Sequence, residues 1–217
     1  MESMLERITP MGWCVAAMLL VLSVTSWYVI YAKAIQFLSF KKDFVRVSEK
    51  WRGLTGFGAI PVFVKNDKSP LVTMLVDAAF EWSKINMSAN STEAKEELLD
   101  DALYARSESI KSEFSKGLPL LASTASVAPF IGLLGTVCGI FSALTSFGEQ
   151  ALPGIAQLTG PVGETLIMTA LGLVTALPAA FAYHMYRSQS DICSAKIDSL
   201  ARAYRSLVAR KFKVPGV

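Results

Sequence analysis

Thr136, Thr169 and Glu164 are the residues of this 217-residue chain whose types could do chemistry inside or beside long apolar stretches. A threonine hydroxyl donates and accepts hydrogen bonds but does not titrate near neutral pH. Glu164 can take up and release a proton, and it stands at the start of an apolar stretch that runs to Tyr186. Two readings of it are compatible. A carboxylate near a helix N-terminus is favoured by the helix dipole. One facing an inner cavity serves as a proton or cation site. His184, the single histidine, lies at the other end of that stretch and reads as an interfacial residue before it reads as a proton relay. No Asp, Glu, Lys or Arg lies in the middle of any apolar stretch. If protons cross here, the titrating group must come from another chain, so the sequence calls for a partner helix that carries an acid.

Other chemistries find little support. The chain offers no nucleophile–base pair, phosphate-cradling loop or clustered metal ligands, so neither enzymatic activity nor a metal or cofactor is expected. The three cysteines, Cys14, Cys138 and Cys193, show no pairing or CxxC spacing and read as small buried apolar residues. Basic residues flank the apolar stretches instead of clustering with aromatics, so a nucleic-acid partner is not expected either.

The elements that must position these residues are membrane spans. The chain is 52% hydrophobic and 18% charged, with a mean hydropathy of +0.41, which places it in the membrane class. Three stretches reach the ~20 residues needed to cross a bilayer. The first has Trp13 near one end and Trp27, Tyr28 and Tyr31 near the other, as in an aromatic belt. With only Arg7 basic before it and no small-x-small cleavage site before Lys33, it reads as an uncleaved anchor. Lys33, Lys41, Lys42, Arg46, Lys50 and Arg52 follow this span, Lys111 and Lys116 precede the second, and Arg187, Lys196 and Arg202 follow the third. The short connection from Gly148 to Gly160 has no Lys or Arg. The positive-inside rule then puts the N-terminus outside and both the middle segment and the tail in the cytoplasm. The reading divides the chain into an outer N-terminus (1–10), span one (11–31), a cytoplasmic helical region (32–117), span two (118–147), an outer loop (148–160), span three (161–186) and a cytoplasmic helical tail (187–217).

In the cytoplasmic region, Gly53, Gly56, Gly58 and Pro61 mark a break, and the run from Lys65 to Pro70 marks another. Leu71, Leu75, Ala78 and Trp82 share one face of an expected helix over 71–85. Asn90 and Glu93 form a capping pair for the next helix. From Ala94, the positions Leu98, Ala102, Ile110, Phe114 and Leu118 keep helical spacing, with Arg106 interrupting, so that helix is expected to run unbroken into span two. In the tail, Ile192, Ile197, Leu200, Tyr204 and Leu207 extend span three in the same way. The fold expected is all-α, an oligomeric bundle of three membrane helices around a central pore, with helices two and three extending into the cytoplasm.

Spans two and three are rich in small and hydroxylated residues. Gly132, Thr136, Gly139, Ala143 and Ser146 share one helical face, and Gly135 with Gly139 forms a GxxxG pair beside it. Thr165, Thr169, Gly172, Ala176 and Ala179 repeat the rhythm in span three. Leu166, Leu173, Leu177 and Phe181 fall largely on other faces. Small faces let helices pack closely; hydroxylated faces can also line a polar path. Both uses stay open at this point. Pro129 and Pro178 each delete a backbone hydrogen bond and can kink their helices.

The runs Ala128-Pro-Phe-Ile-Gly-Leu-Leu-Gly-Thr-Val-Cys-Gly-Ile140 and Glu164-Thr-Leu-Ile-Met-Thr-Ala-Leu-Gly-Leu-Val-Thr-Ala-Leu-Pro-Ala179 resemble the signatures of the MotA/TolQ/ExbB proton-channel family, strongly over about 118–186. The resemblance implies a homopentamer in the bacterial inner membrane, N-terminus periplasmic and C-terminus cytoplasmic. Spans two and three would line a pore holding helices of an ExbD- or TolR-like single-span partner, whose membrane Asp takes and releases protons. By motif match, Thr136 and Thr169 carry over as pore-facing hydroxyls and Glu164 as the family's acid in span three. Pro129 and Pro178 match too. Leu158-Thr-Gly-Pro-Val-Gly163 departs from the usual run before the acid, which touches the outer mouth. The short N-terminus fits the TolQ branch or a short ExbB, and the missing four-span arrangement argues against MotA. The ExbB branch, energising a TonB-like protein for active transport across the outer membrane, is preferred. The TolQ branch, acting on a TolA-like protein in envelope constriction, is the alternative, and a purely structural scaffold ranks below both. The sequence leaves H⁺ against Na⁺ open.

Overall fold

A computed structural model describes residues 10–52, 69–74, 77, 92–148 and 159–212. Four long helices account for nearly all of them, and there are no strands among the described residues. Helix α1 spans Pro10–Arg52, α2 Thr92–Ser115, α3 Leu118–Gly148 and α4 Thr159–Phe212. A helical turn covers 70–74. By length and composition α1, α3 and α4 can each cross a membrane. The protein is therefore an all-α, multi-pass membrane protein.

The structure adds to the sequence reading at one point and corrects it at two. First, α1 does not stop where its apolar stretch stops. Its 43 residues reach about 65 Å, twice the ~30 Å of hydrocarbon. No Gly or Pro interrupts 32–52, and the helix ends at Arg52, directly before Gly53. So the first membrane helix extends past its span just as the third does. α4, with 54 residues, is the longest. Second, the run from Thr92 into span two is broken. α2 stops at Ser115, and Gly117 takes a φ of 80°, the left-handed region that glycine enters without a Cβ penalty. Lys116 N still donates to Ser112 O at 3.1 Å, and helical bonding resumes when Leu121 N donates to Gly117 O at 3.3 Å. Pro119 then sits in the first turn of α3, where its missing N–H costs nothing. Third, the buried face of α2 is turned from the expected one. Leu99, Leu103, Ser107 and Phe114 are buried, whereas Leu98 is exposed and Ala102 half-buried. A strict four-residue count drifts by about 40° per step against a 3.6-residue turn. In the tail, likewise, Cys193 replaces the exposed Ile192 in the series with Ile197, Leu200 and Tyr204. Leu75, Ala78, Trp82 and Asn90 lie outside the described residues, as do the side chains of Glu93, Ala94 and Leu207.

The chain divides into two compact units. One comprises 1–32 and 117–186, the other 33–116 and 187–217. In the first, Val15 and Leu19 of α1, Ala128 and Ile131 of α3 and Met168 and Ala176 of α4 form the core. The hydroxyl of Tyr186 donates to Ile30 O at 2.9 Å, joining α4 to α1. Large apolar side chains such as Phe130, Phe141, Leu177 and Phe181 point outward, which only lipid or further protein makes favourable.

In the second unit, Phe40, Val47, Leu71, Leu99, Ile197 and Tyr204 are among the buried core. Phe114 stacks on Phe37 and meets Phe40 edge-on, with centroids 5.4 and 4.8 Å apart. Lys33 is buried here, and its ammonium donates to Gln36 Oε1 at 2.7 Å, Glu113 O at 2.8 Å and Phe114 O at 3.0 Å. It caps the last carbonyls of α2, where the helix dipole favours a cation. Burial pushes Lys33 below its usual pKa, against the opposing pull of the Glu113 carboxylate. Lys111 pairs with Asp198 at 2.7 Å and Arg205 with Asp100 at 2.9 Å, tying α2 to α4. Burial pushes the Tyr204 phenol and the Cys193 thiol above their ordinary values.

Candidate ion-pathway wall and helix seam

The small faces of α3 and α4 meet within a single chain. A Cβ on Gly132 would stand 2.8 Å from Met168 O and 3.1 Å from the Cα atoms of both Gly172 and Thr169. One on Gly172 would stand 2.7 Å from Ala128 O. On the neighbouring face, a Cβ on Gly135 would come 3.0 Å from Val15 Cγ1 and 3.1 Å from Met168 Cβ. A Cβ on Gly139 would collide with the Thr165 methyl. Gly132 and Gly172 thus let backbones touch, while Gly135 and Gly139 make room for the side chains of Val15, Met168 and Thr165. The packing use, one of two left open by the sequence, is realised by Gly132, Gly135, Gly139 and Gly172. Pro129 and Pro178 lie inside helices that continue through them.

The hydroxyls divide by exposure. Thr136 is 7% exposed and donates to Leu133 O at 2.7 Å. Thr165 is 6% exposed and donates to Val162 O at 2.8 Å. Both satisfy themselves on their own helix, as threonines in membrane helices do. Thr169 is half-buried, and its Oγ lies 3.4 Å from Gly132 O across the seam, a long bond that leaves it free to rotate toward another acceptor. Of the two threonines singled out as pore-facing, then, Thr169 keeps access to the outside of the chain and Thr136 is covered within it. Among the described Ser and Thr of the three spans, sequence reasoning missed three further buried hydroxyls: Ser26, Thr124 and Thr175. Ser26 donates to Ser23 O at 3.1 Å. The Thr124 Oγ has no hydrogen-bond partner.

Glu164 belongs to α4, and its side chain lies outside those described. Its place in the helix is informative. α4 begins at Thr159, with no acidic residue in its first turn. The dipole effect fades beyond the first turn, so the end-capping reading of Glu164 is corrected. The helix starts earlier than expected because Pro161 sits in its first turn, where proline is tolerated. His184 is exposed, its ring edge-on to Tyr183 at 5.3 Å. The cysteines differ in burial. Cys193 is buried, Cys138 half-buried and Cys14 exposed on the single chain, so the expected burial is corrected for Cys14.

Helices that touch through glycines and turn large apolar side chains outward define a class: a membrane helix bundle. The profile of the MotA/TolQ/ExbB proton channel family matches residues 73–199. The chain is 31% identical over 211 residues to the biopolymer transport protein ExbB of Xanthomonas campestris pv. campestris, covering 94% of this chain and 83% of that one. It is 29% identical over 191 residues to ExbB of Neisseria meningitidis, covering 86% and 87%. It is also 26% identical over 193 residues to the Tol-Pal system protein TolQ of Pseudomonas aeruginosa, covering 87% and 84%. The chain belongs to the MotA/TolQ/ExbB proton channel family.

Proposed function

We propose that this chain is the wall-forming subunit of an inner-membrane, stator-like proton channel, a coupling protein and not an enzyme. Several copies, five by the family resemblance, surround the membrane helices of an ExbD- or TolR-like single-span partner. That partner's carboxylate carries the proton, and the proton motive force becomes mechanical work. The observation that carries the reading is the pairing of two small, hydroxylated spans with the absence of any charged side chain at their middle. A wall of this kind offers hydrogen bonds to a moving proton carrier without trapping it in an ion pair. Glu164 stands more than a turn inside α4 as the wall's own acid, and Thr169, half-buried at the seam, is the hydroxyl best placed to follow the carrier. Topology by the positive-inside rule puts the N-terminus in the periplasm and the tail in the cytoplasm.

The output is work on a TonB-like protein for active transport across the outer membrane. The ExbB names of the Xanthomonas and Neisseria relatives favour this. The TolQ relative keeps a second reading, a Tol-Pal subunit acting on a TolA-like protein. Deleting the gene decides between them. Loss of TonB-dependent uptake with an intact envelope supports the first; leaky, chained cells with normal uptake support the second.

A further inference from the structure

Resting on the homo-oligomer reading above, we infer that neighbouring copies dock through two dissimilar faces of the extramembrane unit, a basic face of α1 on one copy and an acidic face of α2 on the next. Beyond its span, α1 turns Ile35, Leu38, Lys41, Lys42, Val45 and Arg46 outward, the three aliphatics being 47–66% exposed. The exposed face of α2 carries Glu97, Leu98, Asp101, Tyr104, Ala105 and Glu108, with Tyr104 68% exposed. Each face combines bare apolar surface with one dominant sign of charge. Opposite charges temper both: on the first, Asp43 lies 3.6 Å from Arg46 and Glu49 is exposed at its far end, and on the second, Lys111 lies 2.9 Å from Glu108 while Glu97 and Asp101 keep the face acidic.

The two faces also stand at similar heights. Lys196 of α4 lies over the Phe44 ring of α1, 5.0 Å from its centre, and Asp198 two residues on meets Lys111 of α2. The segment around Arg46 is therefore roughly level with Lys111, and Glu108 lies within about one turn of it. Tyr104 and Asp101 follow in the next turns, toward the level of Glu49. Copies inserted in one membrane with one orientation keep these heights, so Lys42, Val45 and Arg46 of one copy face Glu108, Ala105 and Tyr104 of the next. A contact between unlike faces is heterologous, and repeated by a fixed rotation it closes a ring. Opposite charges select this pairing, because basic-to-basic or acidic-to-acidic docking brings like charges together.

The test is a two-label cross-link in lipid nanodiscs or mild detergent. Cys14, Cys138 and Cys193 are first replaced by serine. Val45→Cys in a chain with one tag is co-expressed with Ala105→Cys in a chain with another, and a short bismaleimide is added. The prediction is cross-linked pairs carrying both tags and none carrying one tag twice. A second pair of variants guards against incidental proximity. Lys42→Glu with Arg46→Glu weakens association about tenfold, and adding Asp101→Lys with Glu108→Lys to the same chain restores it. Same-tag pairs, or no cross-link while light scattering shows an intact oligomer, overturn the interface and leave the oligomer standing. A chain that stays monomeric at all concentrations overturns the oligomer reading itself, and the interface with it.

Discussion

Gly132→Ala should destabilise this protein, whereas Gly163→Ala should not, although both exchange the same residues in membrane helices. The added methyl at Gly132 meets Met168 O at 2.8 Å and two Cα atoms at 3.1 Å. Carbon contacts settle at about 3.5–4.0 Å, so α3 and α4 must move apart by about half an ångström. A gap of 0.5–1 Å forfeits roughly a quarter to a half of each dispersion contact along the seam. Overpacking of this kind costs about 1–3 kcal/mol. Against it stands the helix preference for alanine over glycine, at most about 1 kcal/mol. At Gly132 the clash wins, because its partners are backbone atoms that cannot rotate away. At Gly163 the methyl meets nothing within 4 Å, so only the preference acts and the change is neutral or slightly stabilising. Gly172→Ala, 2.7 Å from Ala128 O, should resemble Gly132→Ala. The assay is thermal unfolding in a fixed detergent, followed by loss of monodisperse protein on a sizing column. Equal melting temperatures for Gly132→Ala and Gly163→Ala would refute the seam as the reason for these glycines.

Two further substitutions test the polar interior. Thr124→Val removes a buried hydroxyl that has no partner, and an unpaired buried donor costs about 1–3 kcal/mol; the melting temperature should hold or rise, and a clear fall would show that the hydroxyl is engaged. Lys33→Met strips two donor bonds from the end of α2 and a third to Gln36 within α1 and should destabilise by about 2–3 kcal/mol, read by denaturation of the purified protein. Because burial holds Lys33 below its ordinary value, the unfolded chain binds the proton more readily between the folded value and 10.5. Its linkage contribution to stability therefore rises with pH across that window. Lys33→Met should remove that rise, and an unchanged alkaline slope would contradict the burial.

Much of the architecture was legible because membrane spans and helical periodicity are strong signals. Trp13, Tyr28 and Tyr31 bracket an apolar stretch that does lie within one helix. What the sequence hid was where helices end. Hydropathy changes at Ala32, but a helix ends for lack of hydrogen bonds or favourable φ, and nothing in 32–52 imposes either. At Gly117 the signal was present, a glycine two residues before Pro119, but the apolar period across it masked the break. The face of α2 was misread at Leu98 because Leu98 and Leu99 are adjacent, and only packing into the core, where Leu99 is buried, decides between them. Which of the two uses the small residues serve could not be read. Gly132 and Gly172 look alike whether they line a path or touch a backbone, and only the 3.1 Å approach distinguishes the two.

The most direct test of the central claim is proton flux into liposomes under an imposed potential. Vesicles holding this chain alone should stay as tight as empty ones, because its spans carry no Asp, Glu, Lys or Arg at their middle. Adding the single-span partner should open a proton leak, lost when the partner's membrane Asp becomes Asn and reduced by Thr169→Val. Flux through the chain alone, or flux indifferent to the partner's Asp and to Thr169, would contradict the account of a wall built around a borrowed acid.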